Sequence, residues 1–268
     1  MQAPTIKPME LVDTHCHLDL PAFDADRASV LQRCRDSGVN RIVVPGVQAS
    51  GWDNLWKFCA TETNLYPALG LHPVYLEQHA DEDIKVLESQ LVEHRPVAIG
   101  EIGLDYYLKD LDQKRQQDLL EAQLEIAQAA DLPVILHVRK AHDQMLSTLK
   151  RIRVHGGIAH AFNGSLQQAA QYEELGFKLG FGGMLTYERS SKLRALAKAL
   201  PLESIVLETD APDMSVVQHR GERNSPEYLP FCLAALAEVR QADPQAIARQ
   251  TTANAQEVLR LDQWSTVH

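Results

Sequence analysis

Two histidines one residue apart, His15 and His17, close an apolar run that begins at Leu11. In an extended strand residues i and i+2 share a face, so both imidazoles can address one ion. Alone the pair is a weak signal. Four more residues of metal-ligating type, Glu101, His137, His160 and Asp210, each stand at or just past the end of another apolar run. Four imidazoles with two carboxylates exceed the needs of one ion, because a catalytic zinc takes three protein ligands and keeps a position open. The economical reading is two divalent ions: His15, His17 and Asp210 hold one, His137 and His160 the other, and Glu101 bridges them. Mixed nitrogen and oxygen ligation suits Zn, Mn, Fe, Co or Ni better than Mg, although a loosely held Mg can act. Such ions, ~3.5–4 Å apart, acidify a bound water and clamp the attacking and leaving oxygens of an in-line displacement. The chemistry expected is metal-assisted hydrolysis, with Glu101 and Asp210 as catalytic carboxylates and Asp210 in reach of the proton of the attacking water. No Gly-x-Ser-x-Gly elbow competes with it.

These residues need a scaffold that brings strand ends together. Short apolar runs alternate with longer helical patterns in eight repeats. The runs predict strands at Leu11–His17, Arg41–Val47, Leu65–His72, Pro96–Leu104, Pro133–Arg139, Gly157–Phe162, Phe177–Gly182 and Ser204–Asp210. Helices are expected over Ala28–Ser37, Asp81–Glu93, Gln113–Ala130, Leu166–Leu175 and Ser191–Leu200, then over Ser225–Gln241 and Pro244–Leu259. Eight βα units in about 250 residues describe an α/β TIM (β/α)8 barrel, whose active sites lie at the C-terminal ends of the strands. The candidate ligands fall there. An open doubly wound sheet would need a Gly-rich phosphate turn after the first strand, where Asp13-Thr-His-Cys-His17 stands instead.

No Gly/Ser/Pro-rich linker interrupts the 268 residues, so a single domain spanning 1–268, with a core of about 11–261, is expected. Met1–Pro8 lacks the apolar stretch of a signal peptide, no run is long enough to span a membrane, and a cytoplasmic location is expected. The four cysteines, Cys16, Cys34, Cys59 and Cys232, form no Cys-x-x-Cys pair and read as free thiols. A net charge of -10 argues against wrapping nucleic acid with a basic surface. It does not argue against phosphate chemistry, because bound divalent ions bring their own positive charge.

The chain resembles the TatD family of metal-dependent deoxyribonucleases, within the amidohydrolase-like superfamily. The resemblance runs from Asp13 to about Leu259. It rests on Asp13-Thr-His-Cys-His17, Gly70-Leu-His-Pro73, Gly100-Glu-Ile-Gly-Leu-Asp105, Pro133-Val-Ile-Leu-His137, His160-Ala-Phe-Asn-Gly-Ser165, Glu208-Thr-Asp-Ala-Pro212 and Arg223-Asn224. It implies a TIM barrel, divalent metals on the ligands above, and phosphodiester hydrolysis including 3′ to 5′ exonuclease action. DNA or oligonucleotide 3′ ends would be the substrate, and no membrane or obligate protein partner is expected. The motifs look like the branch known only as uncharacterised metal-dependent hydrolases. Ala161 and Asn163 depart from a common Cys and Ser beside His160, which would alter the pocket lining and not metal binding.

Substrate contacts are expected from His72, as a phosphate or oxyanion contact, from Arg139, two residues past His137, and from Arg223 and Asn224 in the loop after the eighth strand. Asp13 and Asp19 read as hydrogen-bond partners or caps, and Glu208 as an inner partner of a metal-bound histidine. His94 and His155 read as structural; His142 and His268 read as surface residues. His79 and His219 lie on loops of the catalytic face. Arg189, Lys192 and Arg194 form a basic patch that could guide a DNA end. A small-molecule phosphoesterase or amidohydrolase on the same site, and a non-catalytic protein binding nucleic-acid ends, are the competing functions.

Overall fold

A computed structural model describes residues 9–264, so the N-terminal segment Met1–Pro8 and the assignment made for His268 lie outside the described residues. The strands are β1 (Leu11–Asp13), β2 (Val39–Pro45), β3 (Leu65–Leu69), β4 (Ala98–Asp105), β5 (Val134–Arg139), β6 (Gly157–Ala159), β7 (Phe177–Phe181) and β8 (Ile205–Leu207). Each pairs in parallel with the next, in the order β1 to β8. The ring closes beyond the ends of β8 and β1: Leu207 O accepts from Thr14 N (3.1 Å), Asp210 N donates to His15 O (2.8 Å) and His17 N to Ala211 O (2.8 Å). The TIM barrel expected from the repeats is the fold observed.

The helices are α1 (Arg27–Asp36), α2 (Trp52–Cys59), α3 (Asp83–Glu93), α4 (Gln113–Ala129), α5 (His142–Arg151), α6 (Leu166–Glu174), α7 (Ser191–Ala199), α8 (Leu229–Arg240) and α9 (Pro244–Val258). Helices α2 and α5 complete units for which the sequence reading named only the strand. Period-two alternation divides the strand residues between two cores. Val12, Val43, Ala68, Ala98, Ile135, Ile158 and Val206 fill the barrel interior and join Val258, Leu259 and Leu261 at the end of α9. Their neighbours Leu11, Ile42, Val44, Val134, Leu136, Ile205 and Leu207 face the helical ring. With the interior packed, only the rim at the strand C-termini can hold chemistry.

Several strands stop short of their expected ends. β1 ends at Asp13 and β8 at Leu207, so His15, His17, His72, His160 and Asp210 all lie past the regular ladder. The alternation behind the His-x-His argument survives because Cys16 forms an isolated parallel bridge with Ala211. Cys16 is buried in the outer core, which leaves the flanking histidines on the barrel axis side.

Candidate metal centre

Glu101 is the hub of the rim. β4 carries it to the barrel mouth, where its carboxylate is 2% exposed and each oxygen meets a different set of ring nitrogens. Oε2 lies 3.0 Å from His15 Nε2 and 3.5 Å from His17 Nε2. Oε1 lies 3.2 Å from His72 Nε2 and 3.2 Å from His137 Nδ1. Asp210 closes the first set, with Oδ1 3.8 Å from the Nε2 of both His15 and His17. Asp210 has a left-handed backbone, φ 58°, which an aspartate tolerates better than most residues and which turns its carboxylate back over the mouth. His17 Nδ1 lies 3.1 Å from Pro45 O, which fits a proton on Nδ1 and a free Nε2.

Three overlapping groups could each hold an ion: His15, His17 and Asp210; His72, Glu101 and His137; and His15, Glu101 and His160. The first is the expected set. The second differs from expectation, because His72 and not His160 stands with His137. Val74 N donates to His72 Nδ1 (3.0 Å), and this turns Nε2 into the centre. His160 instead stacks on His15, with ring centroids 3.6 Å apart, and its Nε2 lies 3.5 Å from Asp210 Oδ1. The sequence reading gave His72 to substrate and set His160 beside His137; in the structure His72 lies next to His137, and His160 next to His15 and Asp210, since chain order cannot tell which loop folds over which ring.

Burial sets the charges. It presses His72 down to about 4. Burial opposes ionisation of Glu101, but His72, His15 and His137 outweigh it and hold the carboxyl well below its usual range. At His17 burial lowers the value, while Glu101 and Asp210 raise it to about 9. Asp210 is lowered in spite of burial by His160, His15 and His17. Two ionised carboxylates among imidazoles form a donor set of nitrogen and oxygen that fits a divalent cation, and a ring held protonated, such as His17, gives up its proton when an ion binds.

Carboxylates farther out orient the rings. His137 Nε2 lies 3.0 Å from Asp105 Oδ2, and Asp105 Oδ1 accepts from Tyr107 N (3.0 Å) and Leu108 N (3.2 Å). The sequence reading gave Asp105 no role, although Glu101 and Asp105 are four apart on one strand and so share a face. Glu208, read as an inner partner, accepts from Ala161 N (2.7 Å), and its Oε2 lies 3.1 Å from His160 Nδ1 without the alignment of a hydrogen bond. Glycine at 180 makes room for it, since a Cβ there would sit 2.6 Å from Glu208 Cδ. Asp13 ties β1 to the loop after β8, accepting from Thr209 N (2.9 Å), Thr209 Oγ1 (2.5 Å) and His15 N (3.2 Å). Burial pushes its carboxyl up to about 7. Asp19 is half-buried, and its Oδ1 has no hydrogen-bond partner among the described residues.

Above the cluster opens a cavity of about 790 Å³ that Arg139 lines, stacked 3.8 Å over the Tyr107 ring. Two other expected substrate contacts are corrected. Arg223 makes a two-pronged ion pair with Asp26 (2.7 and 2.8 Å) and lies over Phe23, tying the loop after β8 to the segment before α1. Asn224 is fully buried: Nδ2 donates to Thr209 O (2.8 Å) and Asp213 O (2.7 Å), and Oδ1 accepts from Ser225 N (2.9 Å). Asn224 has no N–H to spare for a phosphate, and the pair with Asp26 commits Arg223 to holding the loop. His142, read as a surface residue, is buried, with Tyr172 Oη 3.2 Å from Nδ1 and Asn163 Oδ1 3.3 Å from Nε2. His79 is buried as well, its Nε2 2.8 Å from His72 O, where it braces the His72 loop. His219 stacks on Tyr228 and pairs with Glu222, and His94 and His155 are exposed away from the cavity.

Residues 12–260 match the family model described as TatD related DNase. The chain is similar to the uncharacterized metal-dependent hydrolase YjjV of Escherichia coli K12, with 45% identity covering 89% of this chain and 93% of that protein. An uncharacterized metal-dependent hydrolase of Haemophilus influenzae shares 37% identity over 92% of this chain and 98% of its own. The crystal structure of YjjV, described as a TatD homolog, superposes with a TM-score of 0.90, covering 94% of this chain and 98% of that one.

Proposed function

Since this chain belongs to the family of TatD-related DNases and is a metal-dependent hydrolase, we propose that it cleaves phosphodiester bonds at DNA or oligonucleotide 3′ ends. The observation that carries this reading is the split carboxylate of Glu101, with one oxygen toward His15 and His17 and the other toward His72 and His137. That is the arrangement of a bridging ligand between two ions, and it supports two divalent positions per chain. His15, His17 and Asp210 would hold one ion and His72 and His137 the other, with Glu101 between them and His160 beside Asp210.

Divalent ions bound there supply Lewis-acid polarisation of a phosphate and acidify an attacking water. The rest falls to side chains. Asp210, ionised and 17% exposed, has its Oδ1 at the cluster and can take a proton from an attacking water. Arg139 is 46% exposed in the cavity, and Asp105 Oδ2 lies 3.8 Å from its Nη1, so its guanidinium is oriented yet free to grip a phosphate. A half-open cavity with the cluster at its buried end suits a strand end better than the middle of a duplex. We place the activity in the cytoplasm; all four cysteines are buried and unpaired, as in a reducing compartment. No helix among the described residues is long and apolar enough to cross a membrane.

The test is nucleotide release from end-labelled single-stranded and duplex DNA by chelator-stripped protein reloaded with Mg, Mn or Zn. Release from the 3′ end that disappears in Glu101→Ala is expected. Metal binding with no release from any DNA would overturn the nuclease reading and favour a small phosphoester or amide substrate.

A further inference from the structure

Besides the metal-binding cluster and Arg139, the cavity is lined by apolar and basic side chains. Phe162 and Phe181 are buried behind half-buried Met184 and Leu193, and beyond them Arg189 and Lys192 stand exposed at the rim. One nearby basic group is occupied. Arg194 donates to Leu185 O (2.8 Å) and to Glu238 (2.6 Å), which removes it from the basic patch expected from sequence. Arg189 and Lys192 enter no ion pair among the described residues, although Glu188 and Asp213 are close in sequence or share the cavity. Both cations line the cavity, and Arg189 lies over the Tyr187 ring at 5.3 Å.

We infer that this wall is the binding track for a single strand leading away from the metal centre, with a base against Met184 and Leu193 and the next phosphate at Arg189 and Lys192. The inference rests on the nuclease reading for its substrate class. It follows from the sequence of surfaces a nucleic-acid strand presents: a scissile phosphate at the centre, an apolar base face, then another anion. Apolar side chains contact the face of any base and read no hydrogen-bonding edge, so the track accepts all four bases. The centre at Glu101 is the buried end, and Arg189 and Lys192 are exposed, so the strand enters tip first.

The experiment is fluorescence anisotropy of a dye-labelled single-stranded oligonucleotide with a hydrolysis-resistant phosphorothioate at its terminal linkage, titrated with Mn-loaded protein across a salt series. Each phosphate contact on a single strand contributes about 0.7 to the slope of log K against log salt. The Arg189→Ala, Lys192→Ala double variant is therefore expected to lose about 0.7 from that slope, the one phosphate that both cations hold. The charge-keeping pair Arg189→Lys, Lys192→Arg should keep the slope. An oligonucleotide lacking its penultimate base should bind more weakly to the wild type and the double alanine variant alike, with no change in slope. Equal slopes for wild type and double alanine variant, or no binding by the wild type, would overturn the phosphate contacts. Equal affinity with and without the penultimate base would overturn the apolar contact. Hydrolysis is read separately on the unmodified strand, so a protein that binds with these slopes and releases no nucleotide refutes the nuclease reading and leaves the track standing.

Discussion

Asp105→Asn separates the ring-orienting carboxylate from the ligands themselves. Asp105 is fully buried, and its Oδ1 accepts two backbone N–H groups, from Tyr107 and Leu108. An asparagine can keep both bonds only by placing its carbonyl oxygen there, and its NH2 then takes the place of Oδ2, 3.0 Å from His137 Nε2. An NH2 in that place requires a lone pair on Nε2, which moves the ring proton to Nδ1. Nδ1 is the nitrogen that faces Glu101 Oε1 at 3.2 Å, and a protonated nitrogen cannot ligate. Loss of an orienting carboxylate costs about 10–100-fold in metal affinity, or about 1.4–2.7 kcal/mol. The effect should fall on one position only, because Asp105 touches His137 and Arg139 and none of His15, His17 and Asp210. Competition titration of stripped protein with Zn against a chromogenic chelator, fitted to two sites, measures both affinities. One should fall about 10–100-fold and the other stay within about twofold. Two unchanged affinities would refute the tautomer argument, and two equal losses would show a loosened fold.

Asn224→Ala removes three buried hydrogen bonds and strands two carbonyls and one N–H, so it should destabilise the protein by about 2–4 kcal/mol in urea unfolding and leave KM unchanged. A raised KM at normal stability would restore Asn224 as a substrate contact. Gly180→Ala forces a methyl into Glu208; a loss of about 1–3 kcal/mol is expected, with weaker metal binding through His160, and wild-type behaviour in both assays would refute the crowding. His142 is held below its ordinary value by burial, against the opposing pull of Asn163 and Asp143. The unfolded chain therefore takes up this proton first as pH falls through about 6.5, and folding stability drops below that pH until the folded protein's own lower value is reached. In chelator-treated protein, His142→Gln should flatten the stability profile between pH 6.5 and 5 by at most about 1.4 kcal/mol per pH unit, and parallel profiles for the two proteins would refute the assignment.

Much of this architecture was legible along the chain. Alternating apolar runs and helical periods are local properties, and they located eight strands and most of the helices. The strand ends were less legible, because a ladder stops where partners part, as β1 and β8 do above Asp13 and Leu207 while still exchanging bonds through Thr14 and Asp210. Helices α2 and α5 begin with Trp52 and His142, in segments whose apolar pattern is short and whose partners lie elsewhere in the chain.

By sequence alone, the donor types, their order and their placement past strand ends were determined, since a period of two and a βα repeat need no knowledge of distant contacts. Only the tertiary structure decided how the donors divide. His72 swings to Glu101 because Val74 holds its other nitrogen, and His160 stacks on His15 because the segments after β6 and β1 converge at the barrel mouth. Likewise Asp26, Glu238 and Thr209 claim Arg223, Arg194 and Asn224, and leave Arg139, Arg189 and Lys192 for the cavity. Whether a polar side chain is free or occupied depends on neighbours up to about two hundred residues away, such as Ala22 for Arg223 at a separation of 201, and no local pattern records them.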